Sequence, residues 1–215
     1  MIKKKIIILS NSLWNIINFR QPLIKELIKK NIDVYVIAPN SKEKKTLTDL
    51  GCNFENINLS RNGLNPFSEF LTIVELIHKT AKIKPDLIIS FTIKPNIYSA
   101  IVSLILLKKN IINFTGLGSV FIKENIIKKF VLIFIKLFFI KTNIAFFQNE
   151  NDKNFIKKNI KYLKYKSIIV PGSGIDLKVY EYNRNFKNKK NKNIKILIIS
   201  RILKDKGVYE FFNVS

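Results

Sequence analysis

The sequence has very few residues that bind metals or form disulfides. Its 215 residues include one cysteine, Cys52, and one histidine, His78, so no internal disulfide can form. A single cysteine suits a reducing compartment. There is neither a CxxC motif nor a histidine cluster, which argues against a metal held by the protein. We interpret Cys52 as a small apolar residue ahead of a strand and His78 as part of a helix face.

Acidic residues and arginine are also scarce. The chain has 38 basic and 15 acidic residues, a net charge of +23, and only four of the basic residues are arginine. Binding to nucleic acid would be expected to use more arginine for bidentate contacts, so we expect no nucleic-acid partner. The positive charge then has one of two origins: a codon bias that favours Lys, Ile, Asn and Phe, or binding to an anionic membrane surface.

Long apolar runs are absent too. The run Ile6–Leu9 is too short for a secretory signal, so we predict a buried first strand. The segment 121–141 is strongly apolar, but Lys136 interrupts it, and it falls short of the roughly 20 apolar residues of a spanning helix. It is either a buried helix or an interfacial one whose lysines lie near lipid phosphates. Those lysines are Lys123, Lys128, Lys129, Lys136 and Lys141.

Short apolar runs rich in β-branched residues alternate with helical patterns along the chain. Continuous runs of this kind are typical of parallel strands buried on both faces. The sequence therefore predicts an α/β fold with a Rossmann-like, doubly wound parallel sheet. The runs are Ile6–Leu9, Val34–Ile37, Phe54–Ile57, Leu87–Ile89, Ile111–Phe114, Ile144–Phe147, Ile168–Val170 and Ile196–Ile199.

Proline, serine and glycine mark the predicted helix ends. Pro22 suits the first position of a helix that runs to Lys30, because its missing N–H costs nothing there. Ser41 is a candidate N-cap of a helix that ends before Gly51. Two further helices are predicted to begin near Pro66 and Pro95.

The charge pattern also suggests the domain organisation. Residues 187–192 are polar and strongly basic, which indicates a linker. We predict one complete Rossmann-like domain over residues 1–186. Residues 193–215 would then hold the first strand and the helix start of a second domain.

Polar residues and glycines follow most of the predicted strands. Ligands of open α/β sheets bind outside the carboxyl ends of the strands, so these loops predict a cleft. Each loop residue also has an ordinary interpretation as a turn or a helix cap. The loops include Asn11 and Ser12, Thr92, Lys94 and Asn96, Thr115, Gly116 and Gly118, Gln148 and Asn149, and Gly172, Ser173 and Gly174.

Seven phrases in these loops, in this order, resemble glycosyltransferase family 4. The resemblance covers nearly the whole chain. It is greatest to the bacterial branch that extends lipid-linked oligosaccharides, such as N-acetylgalactosaminyltransferases acting on diphosphoundecaprenol-linked sugars. The phrases begin at Asn11, Arg61, Phe91, Asn113, Phe147, Gly172 and Arg201.

The resemblance implies the GT-B fold, in which two Rossmann-like domains face a cleft. The N-terminal domain would bind the acceptor and the C-terminal domain the nucleotide sugar, with retention of configuration and no metal or cofactor. The implied substrates are a UDP-sugar and a polyprenyl-diphosphate-linked saccharide, in surface polysaccharide or glycan assembly. The implied location is the cytoplasm, peripheral on the inner face of the membrane.

Residue roles follow from the same resemblance. Arg201 and Lys206 would grip the donor diphosphate, and Asn11, Ser12, Gly172, Ser173 and Gly174 would form donor-side loops. The acceptor-binding candidates are Asn18, Arg20, Thr92, Lys94, Asn96, Thr115, Gly116, Gly118, Gln148 and Asn149.

The family's E-x7-E motif has no counterpart in this sequence. We therefore expect the 215 residues alone to be inactive, and a separate chain carrying the C-terminal domain is a possible partner. The alternative hypothesis is a non-catalytic domain that binds a partner chain or a lipid head group.

Overall fold

The computed structural model describes residues 3–60, 65–118, 121, 126–160, 166–177, 196–200, 202 and 206–214. Its contacts divide the chain into two units, Met1–Asp176 and Leu177–Ser215. The predicted linker, 187–192, lies outside the described residues, so the boundary at residue 186 stays a prediction.

The first unit is built on one sheet of seven parallel strands in the order β3-β2-β1-β4-β5-β6-β7. This confirms the predicted Rossmann-like α/β fold and the seven strand positions predicted in this unit. The strands are β1 Lys5–Leu9, β2 Asp33–Ala38, β3 Asn53–Asn56, β4 Leu87–Phe91, β5 Lys109–Phe114, β6 Ile144–Phe147 and β7 Ser167–Ile169.

Six helices in the described part of this unit cover the sheet unequally. They are α1 Leu13–Lys29, α2 Lys44–Asp49, α3 Pro66–Ile83, α4 Ile93–Ile105, α5 Ile126–Phe138 and α6 Glu150–Asn159. Helices α1 and α2 pack on one face, where Ile8, Val36 and Ile89 are buried. Helices α3 to α6 pack on the other face, around Ile7, Leu9 and Ile112. Alternate residues along each strand thus point into two separate cores.

Two predicted helix starts are wrong. Helix α1 begins at Leu13, not at Pro22, because the Ser12 hydroxyl accepts a hydrogen bond from the backbone N–H of Asn15 and caps the helix. Apolar burial at Leu13, Ile16 and Ile24 then carries the helix past Pro22. Helix α2 likewise begins after Glu43, and Ser41 is not its cap.

Other predicted helix ends are confirmed. Helix α3 begins at Pro66, and the Asn65 side chain accepts hydrogen bonds from two backbone N–H groups of its first turn. Gly51 follows α2 with φ +85°, a left-handed conformation that glycine adopts without steric cost. His78 is exposed on α3, as its predicted place on a helix face requires.

The apolar segment after β5 forms helix α5 and a 3-10 turn, Phe139–Lys141. Only Lys128 and Ile135 of the helix are buried, so it packs on the domain by one side. Among the described residues, no helix is long and apolar enough to cross a membrane.

The described part of the second unit contains one short helix, α7 Val208–Val214. This matches the predicted helix start after Gly207. The strand predicted over residues 193–200 is wrong for its described part, because residues 196–200 form no strand. A strand of a doubly wound sheet is covered on both faces, whereas Ile196, Leu197 and Ile199 are exposed here.

Candidate functional site: a cavity at the carboxyl end of the sheet

A cavity of about 380 Å³ lies between α1 and the sheet face that α1 covers only in part. The strand register explains its floor: Phe91, Asn113 and Phe146 lie side by side on β4, β5 and β6 and point to this face. The other lining residues are Phe19, Arg20, Pro22, Leu23, Ile89, Ile111, Phe114, Gln148, Val170, Gly172 and Ser173. The cavity therefore extends from mid-strand to the loops at the carboxyl edge.

Arg20 is the charged residue of the cavity lining. It is only 7% exposed, and its guanidinium carbon lies 4.1 Å from the centroid of the Phe91 ring. No described residue accepts a hydrogen bond from its Nε, and none forms an ion pair with it. Burial lowers the pKa of Arg20 to about 10, so it is still protonated at neutral pH. The cavity thus contains a buried cation whose charge no described carboxylate balances.

The rim of the cavity joins two of the predicted loops. Gln148 follows β6, and its side-chain amide donates a hydrogen bond of 3.3 Å to the Ser173 hydroxyl. Gly172 has φ +73° and lies beside it. The structure thus brings together Arg20 and Gln148, predicted to bind the acceptor, with Gly172 and Ser173, predicted on the donor side.

A buried hydrogen-bond network fixes the ends of β4 and β5. The Ser90 hydroxyl donates to Asn96 Oδ1 at 2.8 Å and lies 2.7 Å from the Ser99 hydroxyl. The Asn96 side-chain amide donates to the backbone carbonyl of Asn113 at 3.0 Å. The Asn113 side-chain amide donates to the backbone carbonyl of Ser90 at 3.1 Å. Asn96 is fully buried, and its hydrogen bonds hold the ends of β4 and β5 that form the cavity floor; its predicted acceptor contact stays a prediction.

Thr92 follows this network with an unusual backbone. Its φ of +74° and ψ of 161° lie in a region that is essentially restricted to glycine. The Asn113 carbonyl accepts the Thr92 N–H at 3.2 Å, which holds the residue in place. Its hydroxyl oxygen is buried and has no hydrogen-bond partner in the described part of the chain.

Lys94 is held by other residues of the domain. Its ammonium group lies 2.6 Å from a Glu69 carboxylate oxygen and donates to the Ser60 carbonyl at 3.0 Å. Because the ion pair is largely shielded from solvent, Lys94 ties α4 to α3 and is not part of the cavity lining.

The other predicted residues do not line the cavity. Ser12 and Asn149 cap α1 and α6, and the Asn18 amide donates to the Trp14 carbonyl within α1. Asn11, Thr115, Gly116, Gly118 and Gly174 lie in strand-end loops outside the lining. Lys206 is exposed in the second unit, and Arg201 lies outside the described residues.

Sequence reasoning missed the cavity floor. Phe91, Asn113 and Phe146 sit inside or at the end of buried strands, so the apolar pattern assigns them to the core. The signal that could have found them is the two-residue period: they share the face of Ile89 and Ile111, which α1 leaves partly open.

The described part of the chain contains no group of three or more His, Cys, Asp or Glu side chains that could hold a metal. The absence of a metal or cofactor requirement stays a prediction. Cys52 is buried in the same core cluster as Leu47 of α2, and burial raises the pKa of its thiol to about 11. It takes no part in the cavity.

Solved structures share this fold. A glycosyltransferase from Rickettsia africae has a TM-score of 0.63 at 15% identity, with 84% of this chain and 46% of that one covered. A UDP-GlcNAc 2-epimerase from Methanocaldococcus jannaschii has a TM-score of 0.58 at 21% identity, with 77% and 45% covered. The first unit is therefore a Rossmann-like half of the GT-B type.

A family model classifies the chain more specifically than its fold does. The Glycosyl transferase 4-like family model matches residues 5–149, and the chain belongs to this family. A similar relative is the Campylobacter jejuni N,N'-diacetylbacillosaminyl-diphospho-undecaprenol alpha-1,3-N-acetylgalactosaminyltransferase, 29% identical over 218 residues. The match covers 95% of this chain and 58% of the relative's length.

Proposed function

We propose that this chain is the acceptor-binding part of a retaining glycosyltransferase, which transfers a sugar from a UDP-sugar to a polyprenyl-diphosphate-linked saccharide. The proposed place of action is the inner face of the cytoplasmic membrane. The observation that carries the proposal is Arg20, a buried cation with no anionic partner among the described residues, in a cavity at the carboxyl edge of the sheet.

A phosphate group of the acceptor would meet the chemical need of this residue. An isolated buried charge is costly, whereas a guanidinium paired with phosphate forms strong, charge-assisted hydrogen bonds. The polar rim, Gln148 and Ser173, offers donors and acceptors to saccharide hydroxyls. The name of the Campylobacter jejuni relative includes a diphospho-undecaprenol group, which supports an acceptor of the same class.

The contribution of these residues to the reaction would be positioning. In the transfer, the acceptor hydroxyl oxygen bonds to C1 of the donor sugar while the bond from C1 to the diphosphate oxygen breaks; UDP leaves with the bonding electron pair, and its diphosphate takes up the hydroxyl proton. Holding the reacting groups in place contributes roughly 7–11 kcal/mol in well-oriented systems. By the family resemblance, Arg201 and Lys206 would stabilise the charge that grows on the departing diphosphate.

Binding of a short-chain prenyl-diphosphate-linked N-acetylhexosamine to the 215-residue chain tests the acceptor role. Calorimetry should detect binding, and Arg20→Met should weaken it at least tenfold, as expected for the loss of a charged hydrogen bond. Lys29→Met, which removes an exposed cation from the same helix, is the matched control and should bind like the wild type. Equal binding by Arg20→Met and the wild type would overturn the acceptor role of the cavity.

Transfer is tested separately with a UDP-sugar, in the absence and presence of the C-terminal half of the Campylobacter jejuni relative. We expect no turnover without that half and measurable transfer with it. Acceptor binding without transfer in either case would favour the alternative of a non-catalytic binding domain.

A further inference from the structure

Helix α5 presents a continuous apolar surface to solvent. We call this surface the α5 face; its members are between 42% and 64% exposed. They are Ile126, Phe130, Ile133, Phe134, Leu137 and, in the turn that follows, Ile140. Isolated exposed apolar residues are ordinary, but a contiguous set on one helix marks an interaction surface.

Helical geometry accounts for the continuity of this surface. At 3.6 residues per turn, these positions fall within an arc of about 120°. The opposite side of the helix is turned into the domain, with Ile135 fully buried and Lys128 8% exposed. Helix α5 is thus apolar on two sides: one packs on the domain, and the other has no partner among the described residues.

The charges around the α5 face have one sign. Lys129 and Lys136 lie along one edge of the face, and Lys141 follows it. No acidic residue occurs between residues 126 and 141. Such a pattern, apolar on one side and bordered by lysines, is that of helices that lie in the interface of anionic membranes.

Helix α3 provides an internal contrast. It also exposes an apolar stripe, Phe67, Phe70, Leu71 and Val74. That stripe, however, is accompanied by Glu69 and Glu75, which pair with Lys94 and Lys79, so the charges beside it have both signs. The two helices therefore have similar exposed apolar surfaces but different charges.

We infer that the α5 face is the surface by which this protein docks on an anionic lipid bilayer. The inference rests on the proposed function, since a polyprenyl-linked acceptor is anchored in such a bilayer. Thirteen helical residues are about 20 Å long, so α5 would lie in the plane of the interface and not cross it. A second copy is a poor alternative occupant, because two α5 faces would bring lysines of like charge together.

The structure also defines which residues of α5 would contact the bilayer. Lys128 is not one of them, which corrects its predicted place near lipid phosphates: its ammonium group lies 5.0 Å from the centroid of the Phe155 ring. Phe138 is partly buried against the core and stacks on Phe134 at 5.7 Å. Substitutions that test the surface should therefore be placed at Phe130 and Leu137.

Co-sedimentation of the 215-residue chain with vesicles tests the inference. We expect binding to phosphatidylglycerol-containing vesicles and at least tenfold weaker binding to pure phosphatidylcholine. The double variant Phe130→Glu, Leu137→Glu should bind the anionic vesicles at least tenfold less than the wild type. Phe70→Glu on α3 is the matched control, because Phe70 and Phe130 are 61% and 56% exposed, and it should bind within twofold of the wild type.

A second variant examines the charge separately. Each lysine near an anionic surface contributes about a fivefold change in binding, so Lys129→Gln should lower it by about that factor at low salt. Circular dichroism should show an unchanged fold for every variant, since the changed side chains are exposed. Unchanged vesicle binding by the double variant would overturn the inference, as would a double variant that loses only self-association in sedimentation equilibrium.

The vesicles contain no acceptor and no donor, so docking is measured independently of transfer. Docking without binding of the water-soluble acceptor would refute the proposed function and leave the surface in place. Acceptor binding without docking would support the proposed function and overturn the inference about the α5 face.

Discussion

The guanidinium carbon of Arg20 lies 4.1 Å from the centroid of the Phe91 ring, and this contact joins α1 to the end of β4. A ring face attracts a cation, and the attraction is stronger away from water. The ring contact does not satisfy the hydrogen-bonding capacity of the guanidinium, because no described residue accepts a hydrogen bond from Nε. The pair therefore keeps a cation in place while leaving it able to bind an anion.

The first prediction concerns the stability of the chain without ligand. Arg20→Met should leave the free energy of unfolding unchanged or raise it by about 1 kcal/mol, since an apolar chain replaces an uncompensated buried charge. Urea denaturation measures this. A loss of more than about 1 kcal/mol would mean that Arg20 is chiefly a structural residue, held by the ring of Phe91.

The second prediction concerns the network behind the cavity. Asn96→Ala should lower the free energy of unfolding by about 2–3 kcal/mol, because it removes two buried hydrogen bonds, the one from the Ser90 hydroxyl and the one to the Asn113 carbonyl. Asn149→Ala is the control: it removes an exposed helix cap and should cost only about 1 kcal/mol. Similar losses for the two variants in denaturant titrations would contradict the positioning role of Asn96.

The third prediction concerns the backbone of Thr92. Thr92→Gly should raise the free energy of unfolding by about 1 kcal/mol, because glycine adopts φ +74° without the strain of a β-branched residue. Thr48→Gly, inside α2, should instead lower it by about 0.5 kcal/mol. Thermal unfolding followed by circular dichroism compares the two, and destabilisation of both would count against strain at Thr92.

The strands were the most predictable part of the fold. Runs such as Ile6–Leu9 and Ile144–Phe147 are continuous, apolar and mostly β-branched or aromatic, which is typical of a strand covered on both faces. Helix starts were less predictable. Pro22 looked like a first residue because local propensity favours it there, but the tertiary burial of Leu13 and Ile16 starts α1 earlier.

The loop residues of the site were predicted from the sequence, but the residues of the cavity floor were missed. Gln148, Gly172 and Ser173 could be found because strand-end loops must meet at one edge of a parallel sheet. Asn113 and Phe146 could not be separated from ordinary core residues, since nothing in the sequence states which sheet face α1 leaves open. The exposure of the α5 face likewise depends on how far the helix rotates against the core, which only packing decides.

The last prediction concerns Cys52 and alkaline pH. Burial raises the pKa of its thiol from about 9 to about 11, so the folded chain holds this proton more tightly than the unfolded chain. The stability associated with the thiol is therefore fully present below pH 9 and is lost between pH 9 and 11. Because the site is partly screened, we expect a loss of about 1–2 kcal/mol.

Cys52→Ala removes this titration completely, since the chain has no other cysteine. Urea denaturation of both chains at pH 8 and pH 10.5 gives two stability differences, and subtraction cancels the lysines and tyrosines that also titrate. The free energy of unfolding of the wild type should exceed that of Cys52→Ala by more at pH 8 than at pH 10.5. Equal differences at the two pH values would show that the thiol ionises alike in the folded and unfolded chains, and that Cys52 is not shielded from water as its burial against α2 requires.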